Sequence, residues 1–267
     1  HFGTDHSEMY ISSEDALSVV PQLPSLYDEP FADSSQIATH LVAKMARQQV
    51  TVALSGDGGD ELFAGYNRYV MTQAHWRRLK RLPIPLRRLA AAILVGVGAD
   101  AWNRLLQPIQ RALPFSLQFA DVGASLHKAA GVMESQSLEE LYRGLTSLWP
   151  QPESLVLGCQ PLLAPSGHPR LDLSALDEVH QMMARDTLNY LPDDILCKVD
   201  RAAMAVSLET RVPYLDHEVL QFAWRLPLSL KLRSGQGKWL LRQVLYQYAP
   251  SELFAGPKRG FALPLGD

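Results

Sequence analysis

The chain has 267 residues, 47% of them hydrophobic and 20% charged, with a net charge of -3 and a mean hydropathy of -0.07. That length supports one large domain or two small ones around a buried core, and the composition is that of an ordinary globular protein. The balanced charge gives no global reason to expect nucleic acid or an anionic membrane as partner.

Cys159 and Cys197 fit no metal-ligand or redox spacing, and two lone thiols suit a reducing cytoplasm. No signal peptide opens the chain, and its longest apolar run, Leu89 to Ala99, is about half what a membrane span needs. The start at His1 and the end at Leu265-Gly266-Asp267 both read as cuts.

In chain order, Glu8 to Ile11 is a short strand candidate, followed by Ser12-Ser13 and an acidic helix start at Glu14-Asp15. Asp28 to Ser35 is a polar loop with an N-cap expected at its end. Behind it, Ile37, Leu41 and Met45 recur on one face of a helix. Val50 to Leu54 is a β-branched apolar run, short enough for a fully buried strand. It runs directly into Ser55-Gly56-Asp57-Gly58-Gly59-Asp60-Glu61, after which Leu62, Tyr66 and Tyr69-Val70 predict a helix. Strand, glycine-rich turn and helix is the α/β order in which ligands sit at the strand's carboxyl end.

From about His75, Arg77, Arg78, Lys80, Arg81, Arg87 and Arg88 crowd a stretch punctuated by Pro83 and Pro85. It reads as a solvated or partner-facing surface, since no aromatic residues interleave for nucleic acid. Residues 76–150 read as helices with proline-broken joints, and the loop-rich Pro150 to Pro169 as the internal boundary. Leu176, Val179, Met183 and Leu188 then fit one helix. Ile195, Val199, Ala202 and Val206 fit another that starts after Pro192. The expected division is 1–75 in an α/β core, 76–165 helical, and 166–267 helical with site residues. No internal repeat or low-complexity segment is visible.

The loop from Ser55 to Glu61 carries the chemistry. Gly56, Gly58 and Gly59 let backbone N–H groups approach a ligand, and a following helix would add its positive end, which favours phosphate. Asp57 and Asp60 would repel bare phosphate, which suggests a bridging Mg²⁺. The residues alone fit a plain strand-to-helix turn equally well.

The loop fails the Walker A pattern and the dinucleotide G-x-G-x-x-G, where Glu61 replaces the third glycine. It shares letters with the GGDEF signature, but helical spacing follows it instead of a second strand.

Asp194, Lys198 and Arg201 form one polar helical stripe, whose plain reading is a solvated face with an i,i+4 ion pair. Glu209 and Arg211 read the same way. Lys258-Arg259-Gly260-Phe261 is a basic loop suited to a leaving pyrophosphate, or simply surface charge.

Val52 to Tyr66 closely resembles the synthetase domain of glutamine-hydrolysing asparagine synthetases. The resemblance continues through Leu191 to Arg201, Ser207 to Asp216, Lys238 to Arg242 and Pro257 to Phe261. It implies an α/β fold of the PP-loop ATP pyrophosphatase type (adenine nucleotide alpha hydrolase-like), here predominantly helical with few parallel strands. It also implies ATP and Mg²⁺ as cofactors, and adenylation of a carboxylate, aspartate foremost, followed by attack of ammonia derived from glutamine.

By this resemblance Ser55, Gly56, Gly58 and Gly59 lie beside the adenylate and Asp60 holds Mg²⁺. Asp57, where many relatives carry Glu, faces the reacting centre. Lys258 stabilises pyrophosphate, while Lys198, Asp200 and Arg201 line the pocket less directly. The family's Ser-Gly-Gly-x-Asp-Ser phosphate loop and its amidotransferase half do not occur in this sequence. The 267 residues alone are therefore expected to be inactive. A β-lactam- or peptide-cyclising synthetase of the same superfamily stays open, as do a non-catalytic protein on a decayed ligase fold and a homodimer. Neither nucleic acid nor membrane is expected as partner, and the location implied is cytoplasmic.

Overall fold

The computed structural model describes residues 2–112, 121–147, 149, 158, 172–254 and 256. They fall into two compact units, one of residues 1–67 with 179–267 and one of residues 68–178.

In the first unit, α1 (Ser13–Val19) starts on a reciprocal cap. The Ser12 hydroxyl accepts from the Asp15 N–H, and the Asp15 carboxylate accepts from the Ser12 N–H at 2.9 Å. Helices α2 (Leu23–Tyr27) and α3 (Gln36–Arg47) follow. Ala16, Val19 and Ile37 close a core joined by Ile11, Leu23, Leu26 and Leu41, which accounts for the apolar spacing along α3. Ser35 occupies the N-cap position of α3 without a side-chain capping bond, because its hydroxyl is used elsewhere. The strand expected over Glu8–Ile11 does not form. Met9 and Tyr10 are exposed, and no strand among the described residues pairs with them.

Strand β1 (Val52–Leu54) pairs in parallel with β2 (Glu209–Arg211), Val52 opposite Glu209 and Leu54 opposite Arg211. These two strands make the only sheet among the described residues. The expected full burial of β1 is corrected: Leu54 is 75% exposed. One flanking strand and one covered side suffice to hold it, with Ala53 packed toward Ala43, Ala203 and Leu208.

The helix expected beyond the glycine loop is broken in two, α4 (Gly59–Leu62) and α5 (Asn67–Leu79). The break falls where Ala64 takes φ +52°.

Helix α10 (Glu178–Arg185) buries Val179 and Met183 as their spacing predicts. It leads into a π-helical stretch, Asp186–Leu196, and on into α11 (Cys197–Met204). Pro192 sits inside that π-helical stretch instead of starting a new helix. The missing proline N–H is best tolerated where the regular i to i−4 ladder is already suspended. Helices α12 (His217–Arg225), α13 (Leu228–Lys231) and α14 (Trp239–Leu245) complete the unit, with Leu62, Phe63 and Ala223 as a further core.

The second unit holds most of α5 together with α6 (Ile84–Gly96), α7 (Ala99–Ala112), α8 (Val122–Val132) and α9 (Leu138–Thr146), with no strand among its described residues. Proline begins α6, and Asp121 and Ser137 cap α8 and α9 through their side chains. Tyr69, Leu141 and Tyr142 are buried, and Arg68 donates to the Tyr142 hydroxyl at 2.8 Å.

The basic stretch is not uniformly solvated. Arg77 and Lys80 both pair with Glu178, and Arg88 pairs with Glu134. Arg87 is buried and donates to the carbonyls of Leu82 and Ser135. No single described helix is long and apolar enough to cross a membrane.

Candidate active site

The ladder ends where the Ser55 N–H donates to the Arg211 carbonyl at 2.8 Å, so β1 delivers the Ser55–Glu61 loop at its carboxyl end. The Ser55 hydroxyl donates to the Asp57 carboxylate, and the Asp57 N–H donates back to the Ser55 hydroxyl at 3.3 Å. Gly58 turns the chain at φ +77°, and a Cβ there would lie 2.7 Å from Leu215 Cδ2, so both conformation and space call for glycine. The expected phosphate-facing helix is a single turn of four residues, too short to sum much of a dipole. Any anion binding here must come from side chains and loop N–H groups.

The three acids of this loop take three environments. Asp57 is half-buried against Ser55. Asp60 lies 3.1 Å from the ammonium of Lys238. Glu61 is buried at 1% exposure and accepts from the Tyr66 hydroxyl at 2.6 Å. Burial pushes the Glu61 carboxyl above its usual range, against the hydrogen bond from Tyr66, and burial likewise pushes the Tyr66 phenol up.

Asp60 opens on a pocket of about 800 Å³, also lined by Asn67, Tyr214, Gln236, Lys238 and Arg242. Lys238 is held at φ +54°, its N–H donating to the Phe63 carbonyl at 2.9 Å, which ties the 234–238 loop to the break after α4. Asp57 is not among the residues lining this pocket.

The expected stripe, which starts at Asp194 in the π-helical stretch and runs onto α11, is not a uniformly solvated face. Lys198 is buried and donates to Asp33 Oδ2 at 2.7 Å and to Ser35 Oγ at 2.9 Å. Arg201 reaches Asp28 at 2.8 Å and the Tyr27 carbonyl at 3.3 Å, while Tyr27 donates to the Lys198 carbonyl at 3.2 Å. Asp200 is exposed. None of the three lines the pocket at Asp60. Glu209 and Arg211 pair with each other at 2.7 Å on the exposed strand. Lys258 and its loop lie outside the described residues.

In the sequence Lys238 and Arg242 stand out only as the ends of a block resembling the asparagine synthetases, with no role attached to either. Glu61 stands out only as the end of the glycine-acid loop and Tyr66 only in the helical spacing after Leu62, so neither signals their buried pairing.

Among the described residues no group of three or more His, Cys, Asp or Glu is arranged to hold a metal. Asp60 offers one carboxylate beside an ammonium. That donor set fits Mg²⁺ as an ion carried by nucleotide phosphates, which supply most of its oxygens, and does not fit a resident metal centre.

The model of the asparagine synthase family matches residues 1–267. A putative glutamine-hydrolysing asparagine synthetase of Mycobacterium bovis is 30% identical over 98% of this chain and 37% of its own length. Glutamine-hydrolysing asparagine synthetase 1 of Bacillus subtilis is 30% identical over 98% of this chain and 38% of its own length. A putative glutamine-hydrolysing asparagine synthetase 2 of Methanocaldococcus jannaschii is 40% identical over 36% of this chain and 18% of its own length. The chain thus spans less than two-fifths of the first two relatives. With the glycine-acid loop at the end of β1 and the family match running from first residue to last, this chain belongs to the asparagine synthase family.

Proposed function

We propose that this chain is the synthetase portion of a cytoplasmic, ATP-dependent ligase with the PP-loop pyrophosphatase fold, which converts a carboxylate, aspartate foremost, into its amide. The observation that carries this reading is Asp60, placed at the end of a β-strand by a Ser-Gly-acid-Gly loop and facing an open pocket with two cations.

In the reaction, a carboxylate oxygen of the substrate attacks the α-phosphorus of ATP and pyrophosphate leaves. Ammonia, released from glutamine by an amidotransferase partner domain, then attacks the acyl carbon and AMP departs. The backbone of Ser55, Gly56, Gly58 and Gly59 borders the adenylate, and Asp57 faces the reacting carbon. Asp60 would hold the magnesium ion that nucleotide phosphates carry, and such an ion neutralises charge on the phosphate oxygens. Lys258 takes charge that builds on the leaving pyrophosphate. Lys198 and Arg201 act at one remove by clamping residues 28–35, with Asp200 on the same helix.

The test uses the full-length protein with ATP, glutamine or ammonia, and a panel of carboxylic acids. Aspartate-dependent release of AMP and pyrophosphate in equal amounts, with asparagine as product, is expected. ADP as product, or pyrophosphate release that no carboxylate stimulates, would overturn the reading.

A further inference from the structure

Helix α6 turns its larger apolar side chains away from the protein. It packs on α8, and its covered face carries the buried Arg87 with the half-buried Ala90, Ala91 and Leu94. Leu86, Leu89 and Ile93 share the opposite face and are 54%, 59% and 56% exposed. Leu82, in the turn before the helix, is exposed as well. A helix on a protein surface ordinarily shows the reverse arrangement.

The same stretch carries charge of one sign. No Asp or Glu occurs between Glu61 and Asp100, whereas Arg77, Arg78, Lys80, Arg81, Arg87 and Arg88 all fall there. Glu178 takes Arg77 and Lys80, and Glu134 takes Arg88. Arg78 and Arg81 are exposed and make no ion pair among the described residues. The Arg81 N–H donates to the Arg78 carbonyl at 3.2 Å in the turn between α5 and α6, so both cations stand at the head of the apolar stripe.

We propose that α6 and the turn before it dock on an anionic lipid surface, with Leu86, Leu89 and Ile93 among the acyl chains and Arg78 and Arg81 at the headgroup phosphates. This face belongs to the second unit and is independent of the reading of the pocket at Asp60.

A lipid leaflet supplies apolar depth and negative charge together, which is what a basic amphipathic helix requires. A second copy of this chain, packed by two-fold symmetry on the same face, would set Arg78 and Arg81 against their own counterparts. Helix α6 has 13 residues, about 20 Å of rise, and falls short of a hydrocarbon core about 30 Å thick. The chain then turns by 94° into α7, a corner held by the Trp102 indole donating to the Leu94 carbonyl at 2.9 Å. The helix therefore lies in the plane of the interface. The net charge of -3 hides this bias because the acids sit elsewhere in the chain.

The experiment is co-sedimentation of the full-length protein with vesicles of phosphatidylcholine alone and of phosphatidylcholine mixed with phosphatidylglycerol, at low and high salt. Binding is expected to favour the anionic vesicles and to fall as salt screens the arginines. Leu89→Gln and Ile93→Gln are each expected to weaken it by about fivefold or more. Arg78→Gln combined with Arg81→Gln is expected to weaken it by about tenfold or more at low salt, leaving little difference between the two vesicle types. All four positions are exposed, so melting temperature and turnover are expected to stay at parental values.

A parent that stays in solution with both vesicle types overturns the proposal, as does vesicle binding unchanged in every variant. Without vesicle binding, a parental dimer that falls apart in Leu89→Gln assigns the face to a second copy. A sharp drop in melting temperature in the same variant assigns it to another part of the full-length chain. Either result also overturns the proposal.

Discussion

The Lys198 ammonium and the Asp33 carboxylate lie 2.7 Å apart although 165 residues separate them in the chain. Ser35 completes the contact at 2.9 Å, so one buried lysine fastens α11 to the loop ahead of α3. Breaking such a pair strands a charge away from water, which costs far more than the pair gains over an apolar substitute.

Asp33→Ala is therefore expected to destabilise the protein by about 2–3 kcal/mol, read as a lower denaturation midpoint with unchanged slope. Lys198→Met, which removes the charge and keeps the stem packed, is expected to cost less. Burial raises the Asp33 pKa, but the hydrogen bonds from Lys198 and Ser35 outweigh it and leave the pKa below its ordinary 3.8. The stabilisation is thus fully present above that value and lost as pH falls through the lower folded-state value. An acid-denaturation profile unchanged in Asp33→Asn would refute this.

Glu61 carries the opposite sign. Its folded-state pKa lies above the ordinary 4.5, so the native state binds the proton more tightly than the unfolded chain does. Its neutral form stabilises below about pH 4.5, and this advantage fades as pH rises through the folded-state value. Glu61→Gln keeps an acceptor for Tyr66 and removes the ionisation. It is expected to flatten that decline, measured as melting temperature between about pH 4 and 8.

Two glycines near the pocket separate stability from function. Gly237→Ala drives a Cβ against the Ala64 backbone oxygen, where only a main-chain shift gives relief, and is expected to cost about 2 kcal/mol or more. Gly65→Ala meets the ends of the Asp60 and Lys238 side chains, which can move. It is expected to lose turnover in the full-length enzyme with a smaller drop in melting temperature. Equal stability losses in the two variants would contradict this division.

Asp60→Ala in the full-length protein is expected to abolish carboxylate-dependent pyrophosphate release. Asp57→Ala is expected to reduce turnover more than ATP affinity, since it sits against Ser55 and outside the Asp60 pocket. Near-parental rates in both would leave the loop as a structural turn.

Lys258→Ala is expected to lower turnover about a hundredfold, or roughly 3 kcal/mol, with little change in ATP affinity. Charge grows on the leaving oxygens mainly as the α–β bond breaks, so a lysine there acts on the transition state. A surface lysine would alter the rate by less than about twofold. Paired rate and affinity measurements on the alanine and arginine variants decide between them.

Local chemistry was legible in the chain. Ser12-Ser13 with Glu14-Asp15 specified a helix start, the β-branched run from Val50 to Leu54 a strand, and the glycines at 56, 58 and 59 a turn beyond it, because each depends on neighbours within a few residues. The family resemblance was likewise carried by contiguous blocks. Pairings over long separations were not legible. Lys198 reads as half of a solvated i,i+4 pair until α3 is packed beside it, and Asp60 reads as a metal ligand alone until the 234–238 loop brings Lys238 to it. Pro192 reads as a helix boundary until the π-helical stretch absorbs its missing donor. A side chain's own sequence window fixes its backbone preferences. Which distant charge it meets is decided only when helices pack, because burial makes an unpaired charge intolerable and so selects the partner.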